Sequence, residues 1–108
     1  MANSFKNYTQ AAVGTSPTTI YTAGASVTTT LIGMTVANLL TTTITANVII
    51  TSSGSDFYMV KKVEIEPGNS LVAIGGNQKI ILEPNDSIKV STSDSSSADV
   101  ILSLLEIT

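Results

Sequence analysis

The sequence predicts an all-β chain, an antiparallel β-sandwich of about eight strands. Three observations carry the prediction. Short runs with period-2 alternation return every ~8–10 residues, and turn-forming residues stand between them. No stretch of useful length places apolar residues at i, i+3, i+4 and i+7. Composition points the same way: Thr and Ser together make 30 of the 108 residues. Thr is β-branched and suits a pleated surface, whereas Ser suits turns.

The stretch from Val63 to Ser93 shows the pattern best. Val63 and Ile65 share one face, with Lys62, Glu64 and Glu66 on the other. Pro67-Gly68-Asn69 then supplies a turn, since Pro presets φ and Gly accepts the positive φ that follows. A second apolar run, Ser70 to Ile74, ends at Gly75-Gly76-Asn77. A third, Lys79 to Glu83, ends at Pro84-Asn85-Asp86, with Asp86 placed to accept local backbone hydrogen bonds. The fourth runs from Ser87 to Ser93.

Residues 1–17 are polar and irregular, broken by Gly14 and Pro17, and are expected to form an extended N-terminal arm. Residues 18–108 make the single sandwich domain. Its first strand is Thr18 to Thr22, followed by the turn Ala23-Gly24-Ala25-Ser26. Val27 to Leu39 is a long strand with Ile32, Met34 and Val36 on one face; Leu31, Gly33, Thr35 and Ala37 take the other. Gly33 marks a bulge or a close backbone approach. Thr42 to Ser52 is next, with Ile44, Ala46, Val48 and Ile50 on one side, and Phe57 enters the strand running to Ile65. After the polar loop Asp94 to Ser97, Asp99 to Ile107 closes the fold. Eight strands suit a jelly roll first and an immunoglobulin-like sandwich second.

The last strand departs from ordinary alternation. Val100, Leu102 and Leu104 lie on one face, yet Ile101, Leu105 and Ile107 make the other apolar too, interrupted by Ser103. A strand with one wet face does not look like that. Either both faces are covered within the domain, as for a central strand partly covered by the arm, or part of the surface is covered by another chain.

Composition excludes most chemistry. The chain has no Cys and no His, its five basic residues are all Lys, and the net charge is −3. Disulfides and thiolate metal sites are thereby ruled out, together with imidazole bases and bidentate Arg clamps. The acidic balance argues against nucleic acid as a partner. MANSFKNYTQ lacks the apolar core of a secretory signal, and no run reaches the ~18 apolar residues of a spanning helix. Glu64 and Glu66 point the same way and could pair as carboxylates, but beside Lys62 they read as a solvated strand face. Asp94 and Asp99 flank a Ser-rich loop without EF-hand spacing. Gly75-Gly76-Asn77-Gln78-Lys79 lacks Walker spacing and a following helix. No catalytic residue, cofactor or metal is assigned, and the chain is read as no enzyme.

Several segments resemble small virion structural proteins of tailed bacteriophages. Ser4-Phe5-Lys6-Asn7 followed by Thr18-Thr19-Ile20-Tyr21-Thr22-Ala23 is similar to their opening. So are Ile65-Glu66-Pro67-Gly68-Asn69-Ser70-Leu71, Lys79-Ile80-Ile81-Leu82-Glu83 and Asp86-Ser87-Ile88-Lys89-Val90, and the ending Asp99 to Ile107. The resemblance implies a β-sandwich that binds other virion proteins. The favoured role is a capsid decoration (cement) protein, a homotrimer on the major capsid lattice, made in the bacterial cytoplasm and carried on the capsid surface. A neck, tail or fibre-associated protein shares the fold, and a carbohydrate-binding module is disfavoured by the missing Trp. The expected partner contacts are Phe5, Lys6 and Tyr8 of the arm and Ile101, Leu105 and Ile107 of the last strand, with neither nucleic acid nor membrane involved.

Overall fold

The computed structural model describes residues 2–75 and 78–108. Nine strands are present: β1 (Asn3–Val13), β2 (Thr18–Thr22), β3 (Thr28–Asn38), β4 (Ile44–Ser52), β5 (Ser55–Ile65), β6 (Ser70–Ile74), β7 (Ile80–Leu82), β8 (Ser87–Thr92) and β9 (Ala98–Ile107). No helix occurs among the described residues, so none there is long and apolar enough to cross a membrane.

Two antiparallel sheets face each other. One runs β1-β9-β3-β6, with β7 also on β3, and the other runs β2-β8-β4-β5. β6 pairs with the far half of β3 through Met34 to Ala37, and β7 with its near half through Thr29 to Leu31. The two pieces therefore travel in the same direction along β3, as one interrupted strand. Counted so, the first strand pairs with the last, the second with the last but one, the third with the interrupted strand, and the fourth with the fifth. That is a long hairpin rolled up, the jelly-roll pattern of the expectation. It displaces the immunoglobulin-like alternative.

Across the turn expected at Gly75-Gly76-Asn77, Gln78 N–H donates to the Gly75 carbonyl at 3.2 Å, yet the flanking strands are not reversed; Gly76 and Asn77 themselves lie outside the described residues. The other turns follow their chemistry. Gly68 has φ +79° and Asn69 N–H donates to the Glu66 carbonyl at 3.1 Å. Asn85 has φ +72° and Asp86 N–H donates to the Glu83 carbonyl at 3.0 Å, while the Asp86 carboxylate accepts from Glu83 N–H. Ser53 and Gly54, both at positive φ, join β4 to β5 as a two-residue hairpin turn.

The core is aliphatic. Leu31, Met34, Val36, Leu82, Leu102 and Leu104 from the first sheet meet Ile44, Val48, Ile65, Ile88 and Val90 from the second, all essentially without exposure. β3 departs from its expected faces. The β3–β9 register shifts between Leu31 and Gly33, so Ile32 is the extra residue of a bulge. The slip turns Leu31 inward beside Met34 and Val36 and moves Ile32 outward. A bulge was expected at Gly33; a close backbone approach there is not found. A Cβ on Gly33 would meet only the Ile74 carbonyl oxygen at 3.7 Å, an ordinary contact.

Residues 3–13, expected to be irregular, form a regular strand against β9, with register unbroken from Asn3↔Ile107 to Gln10↔Val100. Ala2 C=O accepts from Thr108 N–H at 3.0 Å and extends the seam.

Candidate functional site

Paired residues on neighbouring strands share a face, so the register assigns each side chain to the core or to solvent. The outer face of the five-stranded sheet collects Phe5, Asn7 and Thr9 from β1 and Ile101, Ser103, Leu105 and Ile107 from β9. β3 adds Thr30 and Thr35, β6 adds Val72 and β7 adds Ile81. Phe5 is 77% exposed, Val72 65%, and Ile81 and Ile101 54% each, a concentration of large apolar groups on one face. The rest of the face is hydroxyl and amide. Among the strand residues described, its one charge is Asp99, at the margin, where the carboxylate accepts from Ala12 N–H at 3.0 Å. A hollow of about 210 Å³ lies between Phe5 and Ile32, floored by Ser103. Lys6, Asn7 and Leu104 complete its lining.

The six residues expected to contact a partner divide in two. Phe5, Ile101, Leu105 and Ile107 stand together on this outer face. Lys6 and Tyr8 alternate to the other side of β1 and are held by the protein itself. Lys6 Nζ lies 2.8 Å from Glu106 Oε1. The Tyr8 ring packs on Tyr21, centroids 4.8 Å apart and tilted by 57°. Tyr21 in turn donates its hydroxyl to Glu106 Oε2 at 2.6 Å and lies 2.8 Å from the Thr29 hydroxyl. Burial, then the hydrogen bond to Glu106, pushes the Tyr21 phenol up to about 12. The Lys6 and Tyr21 hydrogen bonds hold Glu106 below its ordinary value, and Glu106 raises Lys6. This cluster fastens β1 to the body.

Sequence reasoning missed Val72 and Ile81. Their signal was present, since Ile80-Ile81-Leu82 is apolar on consecutive residues, as β9 is.

Glu64 and Glu66 are exposed and line an open depression of about 550 Å³ with Gly68, Asn69 and Ser70. Asp94 accepts from the Ser93 hydroxyl, and no group of three acidic, His or Cys side chains gathers among the described residues.

No protein-family model matches the chain, and no curated protein matches it significantly. Among solved structures it is similar to a chain from one described as "Bacillus endospore appendages form a novel family of disulfide-linked pili", at 14% identity and a TM-score of 0.47. That similarity covers 99% of this chain and 85% of the other.

Proposed function

We propose that this chain is a non-enzymatic structural protein of a tailed-phage virion, a decoration protein that binds the major capsid lattice as a homo-oligomer. The observation that carries the reading is the outer face of the five-stranded sheet: broad, apolar and almost free of charge. Burying such a face requires little desolvation of polar groups, and exposed apolar patches of this kind mark contact surfaces. Strands of 11 residues give the face a length of ~36 Å, and four strands a width of ~19 Å. The product, roughly 700 Å², approaches what one partner contributes to a standard stable interface. The hollow beside Phe5 offers a seat for one side chain of the capsid shell, the arrangement in which an anchor carries much of the binding energy.

The test is co-sedimentation of the purified protein with heads of the phage that encodes it, stripped of this chain. Wild type pellets with the heads, whereas Ile101→Asp, which places a carboxylate in the centre of the face, stays in the supernatant. Equal binding by both proteins would overturn the reading.

A further inference from the structure

The five-stranded sheet ends at β1, and the outer edge of that strand is open: among the described residues β1 pairs only with β9. The seam shows which backbone groups are free. Ala2 C=O bonds Thr108 N–H, so the even-numbered residues Ser4, Lys6, Tyr8 and Gln10 turn their N–H and C=O toward β9. The odd-numbered Asn3, Phe5, Asn7, Thr9 and Ala11 turn theirs away from the sheet. Only the Ala11 carbonyl has a partner, the Gln10 side-chain amide at 3.5 Å.

Sheet edges are aggregation liabilities that proteins ordinarily blunt with bulges, lysines, proline or brevity. The other edges here are blunted. β2 has five residues and a register shift. β5 carries two register shifts, a left-handed Lys62 and the exposed pair Lys61-Lys62. The β6–β7 edge is interrupted. Between Asn3 and Gln10, β1 has neither proline nor bulge, and its single lysine, Lys6, has its ammonium 2.8 Å from Glu106 of β9 rather than standing free on the edge.

We propose that β1 pairs with β1 of a second copy, antiparallel about a two-fold axis through Asn7. In that register Phe5 lies opposite Thr9 of the second copy and Asn3 opposite Ala11. The odd-numbered donors and acceptors then satisfy one another in a single ladder. The charges also allow it. Lys6 falls opposite Tyr8 of the second copy rather than its own equivalent, so no like charges meet. The contact is isologous and closes after two copies. It makes a dimer, where the resemblance to decoration proteins implies a trimer, and it does not depend on what the outer face binds.

Two measurements test it on the full chain. Light scattering should give a particle of twice the 11.2 kDa chain mass. Amide hydrogen exchange should show Phe5, Asn7 and Thr9 slowed about tenfold or more as concentration rises through the association range. Lys6, Tyr8 and Gln10 stay protected throughout. Thr9→Pro removes an N–H that the monomer does not use, a placement edge strands tolerate. It should keep the fold and weaken the dimer about tenfold or more. A monomer at all concentrations, a trimer, or a dimer whose odd-numbered amides exchange freely would each overturn the proposal. Should Thr9→Pro fail to fold, the wild-type exchange pattern decides alone.

Discussion

On the outer face of the four-stranded sheet, Asn47 donates to Ser91 at 3.1 Å, Thr51 to Asp56 at 2.7 Å, and Lys61 sits 5.0 Å over the Tyr58 ring. The corresponding face of the five-stranded sheet has Phe5, Ile101, Val72 and Ile81 in the open. Both faces belong to antiparallel sheets packed on one core, so the fold does not dictate the difference. The four-stranded face satisfies its polar groups internally and presents charge to water. The five-stranded face has apolar groups that none of the described residues covers. One satisfies its polar groups within the sheet, and the other leaves its large apolar groups in solvent, which is the surface the proposed contact would cover.

The sharpest way to break this comparison uses adjacent residues of β9. Leu102→Ala removes a fully buried side chain and should cost about 2–5 kcal/mol in chemical denaturation. Ile101→Ala, one residue away on the outer face, should stay within about 0.5 kcal/mol of wild type. A comparable loss from both would mean that the outer face is already buried within the molecule.

Next comes Asn38, whose side-chain amide donates to the Thr42 and Ile65 carbonyls and whose oxygen accepts from Leu40 N–H. Asn38→Ala orphans these buried groups, and a loss of about 2–3 kcal/mol is expected by urea titration. Tyr21→Phe is smaller. It leaves Glu106 and Thr29 without the phenol hydroxyl, for about 1–2 kcal/mol, and should loosen β1, read as faster exchange at the Tyr8 amide.

The smallest effect is the pH dependence of the Lys6–Glu106 pair. The Glu106 carboxyl is held below its ordinary value in the folded state. Its contribution is therefore present above the unfolded carboxyl pKa and is lost as pH falls through the folded one. Lys6 is raised, so its share is intact below 10.5 and is lost as pH rises through the folded value. A thermal scan of wild type and Lys6→Met should differ slightly at neutral pH and coincide in strong acid. Because Lys6 is well exposed, a large difference at neutral pH would contradict the assignment.

Turns and strands were legible in the sequence where local chemistry decides them: Pro67-Gly68, Pro84-Asn85 and the strand Thr18–Thr22 all stand as read. β1 was not legible as a strand because its inward positions are Lys6 and Tyr8. They face the Tyr21–Glu106 cluster instead of the aliphatic core, so the usual alternation is missing. The β3 faces were misassigned at the bulge and before it, since the extra residue Ile32 puts Leu31 on the same inward face as Met34 and Val36 and turns Ile32 outward. The candidate face was half legible. Ile101, Leu105 and Ile107 announced themselves by making β9 apolar on both sides; Val72 and Ile81 sit in similar consecutive apolar runs, but their place on the same face as β9 comes from strand pairings that the local pattern does not encode.

The seam between β1 and β9 also sets the order in which the molecule can be made. β9 lies between β1 and β3, which begin at Asn3 and Thr28, far upstream of its own start at Ala98. While the chain is being synthesised, β1 and β3 have no strand to separate them until residue 107 has left the ribosome. The four-stranded sheet and its β4–β5 hairpin can form earlier, but the five-stranded sheet closes only once β9 is available, a non-local step that is intrinsically slow. Until then the open edge of β3 and the unpaired β1 are exposed together, and this is the interval in which a nascent chain of this kind depends on its surroundings to stay soluble.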